Sequence, residues 1–515
     1  MAQRMKIEEL KALRARLVSN SLTEDDRAAL TVILDSHLLL DGAVKEKSGT
    51  IRKLLKIIFG AKTEKAHVVF DMPVKPKGEW AHPRGHGRKS AAAYTGGEKV
   101  IVHTTLKSGD PCPECHKGRV YPSQPSVVVR ITGDAPLTAI SFECEKLRCN
   151  LCGEVFTATL PDETGSEKYD AAAGAMISLL KYGSGLPFNR LEQLQESMGI
   201  PLPASTQWNI VEKTADRIHP AYKELIRQAA QGEIIHNDDT TMKITTAINE
   251  NGRSGTFTTG MLSMMGERKI ALFFTGQKHA GENLTDLLAE RHPDRGPPIQ
   301  MADALSRNIS REFATLLANC MSHARRNFVD VAESFPDECR HVIEALGEVY
   351  KTDTYAKKRD MTPDERLACH QAKSAPLMSD LQRWITTQFK DKKAEPNSGL
   401  GKAFSYMLKH WEPLTLFLRV PGAPLDNNIC EQALKMAIRH RRNSLFYRTL
   451  HGAYIGDLFM SLIHTCRLSK VNPFDYLVAL QKHSHEVFKN PHEWLPWNYE
   501  AAVTGLSAAL KGRTY

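Results

Sequence analysis

The chain has 515 residues, 42% hydrophobic and 25% charged, with a net charge of +9. That length is too great for one core and points to roughly two to four domains. The composition is that of a soluble globular protein. No apolar run approaches the roughly 20 residues that span a bilayer, and MAQRMKIEELKALRARL has no signal-peptide core; a soluble, intracellular chain without membrane contact is expected. The basic balance favours a polyanionic partner, because Lys and Arg neutralise phosphates and release counterions. A protein that is merely basic is the plain alternative. The sequence holds ten cysteines, and in a reducing compartment clustered thiols point to metal rather than to disulfides.

Residues 1–70 read as an N-terminal helical domain. Ile7, Leu10, Leu13 and Leu17 recur at helical spacing, and Leu30, Ile33, Leu34 and Leu38 form a second apolar set. The domain ends in IRKLLKIIFGAKTEK, where Arg52, Lys53, Lys56, Lys62 and Lys65 stand against one acid. A short coiled coil and a DNA-contacting helix pair both fit, with Arg52, Lys53 and Lys56 as candidate phosphate contacts. A solvated amphipathic helix accounts for any single residue there. Residues 71–98 are rich in Pro, Gly and basic side chains without periodicity, and read as a basic linker. Residues 99–160 form a small cysteine-bearing module with β-type runs (VIVHTTL, SVVVRITG, EVFTATL), and helical spacing returns over 161–230 as a connector.

The pattern changes at Gly232. EIIHNDDTTMKITTAI, SGTFTTGMLSMM and KIALFFTG read as three strands, with Asn251-Gly252 turning between the first two. A helix (ENLTDLLAERH) follows, then an apolar strand (PIQMADA), a strand-like run (FATLLANC) and HARRNFVDVAESF. Three antiparallel strands, a helix and further strands able to pair in parallel is the order of a ribonuclease-H-like α/β core. The core is expected over 231–450, with a charged helical insertion at about 330–420 that holds a helix start at Thr362-Pro363-Asp364-Glu365. Residues 451–515 read as a C-terminal helical region. The expected architecture is multidomain α/β: N-terminal helices, a small zinc-binding module, then a ribonuclease-H-like core with a helical insertion.

Cys112-Pro-Glu-Cys115 and Cys149-Asn-Leu-Cys152 are two CxxC pairs with 33 residues between them, each in a turn sequence. Two thiolates two residues apart converge on a tight knuckle, so Cys112, Cys115, Cys149 and Cys152 are expected to hold a structural Zn²⁺. Cys144, His103 and His116 are possible substitutes. Four protein ligands leave no open position, which argues against catalysis at this metal. The remaining cysteines, Cys320, Cys339, Cys369, Cys430 and Cys466, are scattered and read as small core residues.

Phosphodiester cleavage by paired cations needs carboxylates that hold two Mg²⁺. Adjacent residues of a strand point to opposite faces, so only one of Asp238 and Asp239 on the first core strand can face such a site. Asp303 closes PIQMAD, where a polar side chain can emerge into a cleft; it could equally cap the next helix. Glu431 starts a helix in DNNICEQALKMAIRHRR; three residues after Asn428, it could instead complete a capping box. Lys435, Arg439 and Arg442 follow Glu431 on nearly its own helix face, and with His440, Arg441 and Asn443 make a basic segment suited to gripping phosphates. A solvated basic face is the alternative.

Taken in order, these segments resemble the transposases of the insertion-sequence 66 group, a DDE family, over nearly the whole chain. KIIFGAKTEK resembles the basic motif after the family's leucine-zipper-like N-terminus, and GHGRKS with CPEC and CNLC resembles its zinc-binding module. LLKYGSGLPFNRLEQL resembles the stretch before its catalytic domain. HNDDTTMKI resembles the first catalytic-strand motif, and the resemblance selects Asp238 over Asp239; IQMADA gives Asp303. CMSHARRNF resembles the Cys-x-x-His-x-Arg-Arg element, giving Cys320, His323, Arg325 and Arg326. LDNNICEQALKMAIRHRRNSLF resembles Asp-Asn-Asn-x-x-Glu, giving Glu431. Asp239 stands where the family usually has Glu, and the second motif lacks the aromatic residues that often follow its aspartate.

The resemblance implies a DNA transposase that cleaves and joins strands at the ends of an insertion sequence. Asp238, Asp303 and Glu431 would be the catalytic Mg²⁺ (or Mn²⁺) ligands. His323, with Arg325 and Arg326, would orient the site or contact a flanking phosphate; a buried structural histidine is the other reading, and Cys320 with His323 supplies too few ligands for zinc. Terminal inverted repeats and target DNA would be the partners, joined by a second copy of the chain and accessory transposition proteins. A cytoplasmic, nucleoid-associated location follows from these. A transposase-derived DNA-binding protein that no longer cuts, and a metal-dependent nuclease or resolvase on the same core, are the competing functions.

Overall fold

The computed structural model describes residues 7–19, 21–31, 69, 107–121, 136–148, 155–161, 167–246 and 255–511. The chain divides into two compact units, Pro73–Thr138 on one hand and Met1–Met72 with Ala139–Tyr515 on the other. Of the smaller unit, residues 107–121 form a tight knuckle closed by a bridge between Pro111 and Arg119.

In the larger unit, helix α1 (Ile7–Val18) carries the first apolar set, with Leu13 buried. Strands β1 (Lys146–Arg148) and β2 (Val155–Thr157) pair antiparallel. Helices α2 (Ala171–Ser178), α3 (Phe188–Ser197) and α4 (Ala204–Ala229) lead into a mixed α/β domain. Strands β3 (Ile234–Thr241), β4 (Phe257–Met265) and β5 (Arg268–Gly276) form an antiparallel meander. After α5 (Ala280–Ala289), strands β6 (Ile299–Ala302) and β7 (Leu316–Asn319) add in parallel on the far side of β3. The five-stranded order is β5-β4-β3-β6-β7, with the first strand of the meander at its centre.

Helix α6 (Met321–Val331) leaves β7, and the long helices α7 (Pro336–Lys358), α8 (Pro363–Lys390) and α9 (Gly399–Lys409) stand where the charged insertion is expected. Thr362 starts α8 as that helix's cap: its hydroxyl accepts the Glu365 N–H at 3.3 Å, and the Glu365 carboxylate accepts the Thr362 N–H at 2.8 Å. One hydrophobic core runs from Met301 on β6 through Phe328 of α6 to Leu346, Leu381 and Phe404 of the insertion. The insertion is thereby packed onto the sheet.

Helix α10 (Asn428–Ser444) returns to β3 and β4, and α11 (Leu450–Leu468) covers β5. An edge strand exposes a row of unpaired N–H groups, and α11 answers them with side chains four residues apart. Asp457 accepts from Thr275 N at 2.6 Å, Ser461 from Phe273 N at 2.9 Å and Thr465 from Ala271 N at 3.1 Å. All three acceptors are buried, so the edge is sealed by a helix rather than left open. Among the described residues no helix is long and apolar enough to cross a membrane.

Candidate active site

The two aspartates at the centre of β3 part as the strand pleat requires. Asp239 turns to the start of α5. Its carboxylate accepts from Thr259 Oγ1 at 2.7 Å, His279 Nδ1 at 3.0 Å and the Ala280 N–H at 3.1 Å. Its side chain is 2% exposed, so it is fully used inside the fold. Asp238 turns the other way. The parallel register pairs His236 with Met301, and two further steps along it bring Asp238 beside Asp303, just past the end of β6.

One amide joins those two carboxylates. Asn308 Nδ2 donates to Asp303 Oδ1 at 2.6 Å and reaches Asp238 Oδ1 at 3.5 Å. Asp303 also accepts the Leu305 N–H at 3.2 Å, which turns the chain at the strand end; the short helix that follows is capped by Leu305 and not by Asp303. Asn308 is itself pinned, its backbone carbonyl accepting from Asn237 Nδ2 at 2.6 Å and Gln300 Nε2 at 2.7 Å.

Glu431 arrives on α10. The helix begins at Asn428, with Asn427 as its cap residue, and the capping box of Asn428 and Glu431 does not form. Glu431 Oε1 is buried without a hydrogen-bond partner among the described residues and lies 3.9 Å from His323 Nε2. Two features bring this helix end against β3. Gly260 pairs with Asp238 across β4, and a Cβ there would come within 2.7 Å of Leu434, so only glycine lets α10 sit this low. Asn427, fully buried, accepts from His236 Nδ1 at 3.0 Å and donates to the Asn237 carbonyl at 3.1 Å, while its own N–H donates to Cys320 Sγ at 3.2 Å. Burial pushes His236 down to about 4, so the ring is neutral, with its proton on Nδ1 facing the Asn427 oxygen.

Burial pushes the Asp238 carboxyl up to about 7, with the charges of Asp303, Glu431 and Asp239 adding to it against the pull of the Asp239 N–H. Ionised carboxylates crowded in this way suit a divalent cation, and all of them offer hard oxygen donors. A second grouping shares Glu431: Cys320, His323 and Glu431 place ligand atoms within 4.8 Å of one another. Burial raises the Cys320 thiol to about 11, and its sulfur already accepts the Asn427 N–H, which favours a packing role.

The basic segment of α10 divides. Lys435, Arg439 and Arg442 are exposed on the stripe that begins at Glu431. Arg441 is tied to Thr240 Oγ1 at 3.0 Å and to Thr241. His440 is buried and stacked between Tyr182 and Tyr447; burial takes it down to about 3, so it adds neither charge nor a phosphate contact. Arg326 is exposed on α6 and Arg325 half-buried. In the smaller unit, Cys112 and Cys115 sit on the knuckle, where the N–H groups of Lys117 and Gly118 and the Cys112 side chain hold the Cys115 thiol below its usual range. Cys149, Cys152, His103, Arg52, Lys53 and Lys56 lie outside the described residues.

Asn308, His236 and the paired amides of Asn237 and Gln300 escaped the sequence reading. Asn427 was in view only as a letter of a motif. For Asn308 the sequence carries no signal, because its role exists only once the turn folds back over β3.

Residues 168–455, more than half of the chain, match the family described as "Transposase IS66 family". Three relatives from Sinorhizobium fredii are similar to the chain. "Uncharacterized protein y4jD" is 30% identical over 209 residues, 40% of each chain. "Uncharacterized protein y4hP" is 25% identical over 350 residues, covering 64% of this chain and 62% of the relative. "Uncharacterized protein y4qI" is 26% identical over 198 residues, 37% of this chain and 35% of the relative. The chain thus spans between about one third and two thirds of the length of these curated relatives. A match of that extent, in the region that holds Asp238, Asp303 and Glu431, settles the kinship: the chain belongs to the Transposase IS66 family.

Proposed function

We propose that the chain is a DDE transposase that cleaves DNA at the ends of its element and joins the freed ends to target DNA. Asp238, Asp303 and Glu431 are the residues that would hold two Mg²⁺ or Mn²⁺ ions. The observation that carries this is the crowding of Asp238, half-buried and close to two further carboxylates, with its carboxyl pushed up to about 7. A site so poised binds cations in place of protons. The strand order, a meander followed by two parallel strands, supports a ribonuclease-H-like core beneath it.

In cleavage, a water oxygen attacks the phosphorus and the 3′-oxygen departs with a proton. In joining, that 3′-hydroxyl attacks a target phosphorus and gives up its proton, and the target's own 3′-oxygen departs and takes one up. Bound divalent cations supply Lewis-acid stabilisation of the attacking and departing oxygens. The chain's own residues set the geometry. Asn308 and Asn427 fix the carboxylates, His323 stands beside Glu431 to orient it or meet a flanking phosphate, and Lys435, Arg439 and Arg442 offer exposed charge to the DNA backbone. Arg325 and Arg326 of α6 would also contact the DNA backbone, as would Arg52, Lys53 and Lys56 of the N-terminal region. Cys112 and Cys115, on the knuckle of the smaller unit, would be ligands of a structural Zn²⁺. The hydrogen bonds that lower the Cys115 thiol support that role, since the thiolate is the metal-binding form. A homo-oligomer on the paired ends, with accessory proteins, completes the proposal.

The test incubates the protein and Mg²⁺ or Mn²⁺ with labelled DNA carrying the element's ends. Strand transfer that is lost in Asp238→Ala, Asp303→Ala and Glu431→Ala is expected. End binding without cleavage by the unmutated protein would make it a DNA-binding derivative, and equal cleavage of unrelated DNA would make it a general nuclease.

A further inference from the structure

The amide of Asn308 has a donor in use and an acceptor with nothing to do. Its Nδ2 lies between the Asp303 and Asp238 oxygens, at 2.6 and 3.5 Å. Its Oδ1 is buried with no hydrogen-bond partner among the described residues, on a residue with no exposed surface. The orientation is chemically forced, because an amide oxygen 2.6 Å from a carboxylate oxygen would be repelled. A buried carbonyl left unpaired carries its full desolvation cost, so an orphan beside two carboxylates calls for a partner.

The backbone under Asn308 is held firmly enough for the side chain to act alone. Its carbonyl accepts from Asn237 and Gln300. A Cβ on Gly281 of α5 would lie 2.4 Å from the Ile309 carbonyl and 2.8 Å from that of Arg307, so the turn is seated directly on that helix.

We infer that Asn308 is a fourth member of the cation site, bridging Asp238 and Asp303 through its N–H in the arrangement seen and turning its amide to present Oδ1 when a divalent cation binds between them. This rests on the reading of Asp238 and Asp303 as cation ligands. A cation there would meet the positive end of the N–H dipole, and turning the amide replaces repulsion with a hard oxygen donor. Asn308 is therefore a positioning residue for the carboxylates and a donor to the cation or its water.

The experiment measures Mn²⁺ binding to the full chain at pH 8 by electron paramagnetic resonance, with thermal melts to establish folding. Asn308→Ala keeps the backbone bonds and loses both amide functions; its Mn²⁺ affinity is expected to fall about ten- to a hundred-fold. Asn308→Asp keeps an oxygen at the same place and is expected to bind at least as tightly as the unmutated chain. Unchanged affinity in Asn308→Ala would overturn the inference. So would a loss in Asn308→Asp equal to that in Asn308→Ala, since the N–H alone would then matter. Asp238→Ala separates the two layers: if it binds Mn²⁺ like the unmutated chain, the carboxylate reading fails and this one with it. If it loses binding while Asn308→Ala does not, only the role of Asn308 fails.

Discussion

Replacing Asp238 with Asn should stabilise the metal-free protein, and by an amount that depends on pH. The carboxyl moves from an ordinary 3.8 to about 7 in the fold, chiefly through burial and then through Asp303 and Glu431. A group that holds its proton more tightly folded than unfolded favours folding below its unfolded value, and that contribution is lost as pH rises through about 7. At about 1.4 kcal/mol for each pH unit, the loss approaches about 4 kcal/mol above pH 7. Asn cannot ionise, and its side-chain oxygen can still accept the Asp239 N–H that Asp238 accepts at 2.8 Å. Urea unfolding in chelator from pH 4 to 8.5 should therefore show the two proteins alike at the acid end and separating as pH rises. Adding Mn²⁺ should stabilise only the unmutated protein, by mass action. A gap of the same size at pH 5 and pH 8 would refute the electrostatic reasoning, whatever its sign.

The neighbouring carboxylate behaves oppositely: Asp239→Ala strips partners from Thr259, His279 and Ala280 and should cost about 2–4 kcal/mol in the same unfolding assay. Asn427→Asp should cost at least as much as Asn427→Ala, about 1–3 kcal/mol, because it sets an oxygen against the Asn237 carbonyl that Nδ2 now serves; an Asp variant as stable as the parent would contradict the clamp. Each of Lys435→Gln, Arg439→Gln and Arg442→Gln should lower the salt dependence of DNA binding by about one log unit per log unit of salt, with stability unchanged; titrations at several salt concentrations decide it. Ser461→Ala leaves the Phe273 N–H unpaired and should cost about 1–3 kcal/mol, with faster hydrogen exchange at that amide as the local readout.

The central sheet was legible because its signals are local. Three consecutive strand-like runs and an apolar run ending in Asp303 each register within a few residues, and all five strands lie where the sequence places them, while the Asn251-Gly252 turn lies outside the described residues. The parting of Asp238 and Asp239 also follows from strand geometry, although which of the two faces Asp303 needed the folded neighbours. Spacing on α10 put Lys435, Arg439 and Arg442 on one face, but it could not tell that His440 on another face is sandwiched by Tyr182, more than 250 positions away. The capping alternative for Glu431 turned on one residue of helix boundary. Had Asn428 been the cap, Glu431 could have closed a box; with Asn427 there, its carboxylate is left to the site. Asn308 and Asn427 act through contacts made by distant segments, which no local pattern announces.

Those amides explain how Glu431, with 127 residues between it and Asp303, can be placed accurately beside Asp303 and Asp238. Chain length is a minor obstacle, since each doubling of a loop adds only about 0.6 kcal/mol of closure entropy. The harder requirement is that the returning strand of chain be fixed where it re-enters, and the insertion does this itself. Asp353 of α7, 4% exposed, meets Arg366 of α8 at 2.7 Å and His370 at 3.4 Å. Arg366 then donates to the Ala423 carbonyl at 2.9 Å, and the Met321 N–H at the start of α6 donates to the Leu425 carbonyl at 2.9 Å. The segment leading to Asn427 is thus gripped by the insertion and by the helix that carries His323 before Asn427 locks onto β3. Glu431 and His323 are consequently placed by the same few bonds, so a disturbance of the insertion's buried ion pair would displace both together while leaving Asp238 and Asp303 in the grip of Asn308.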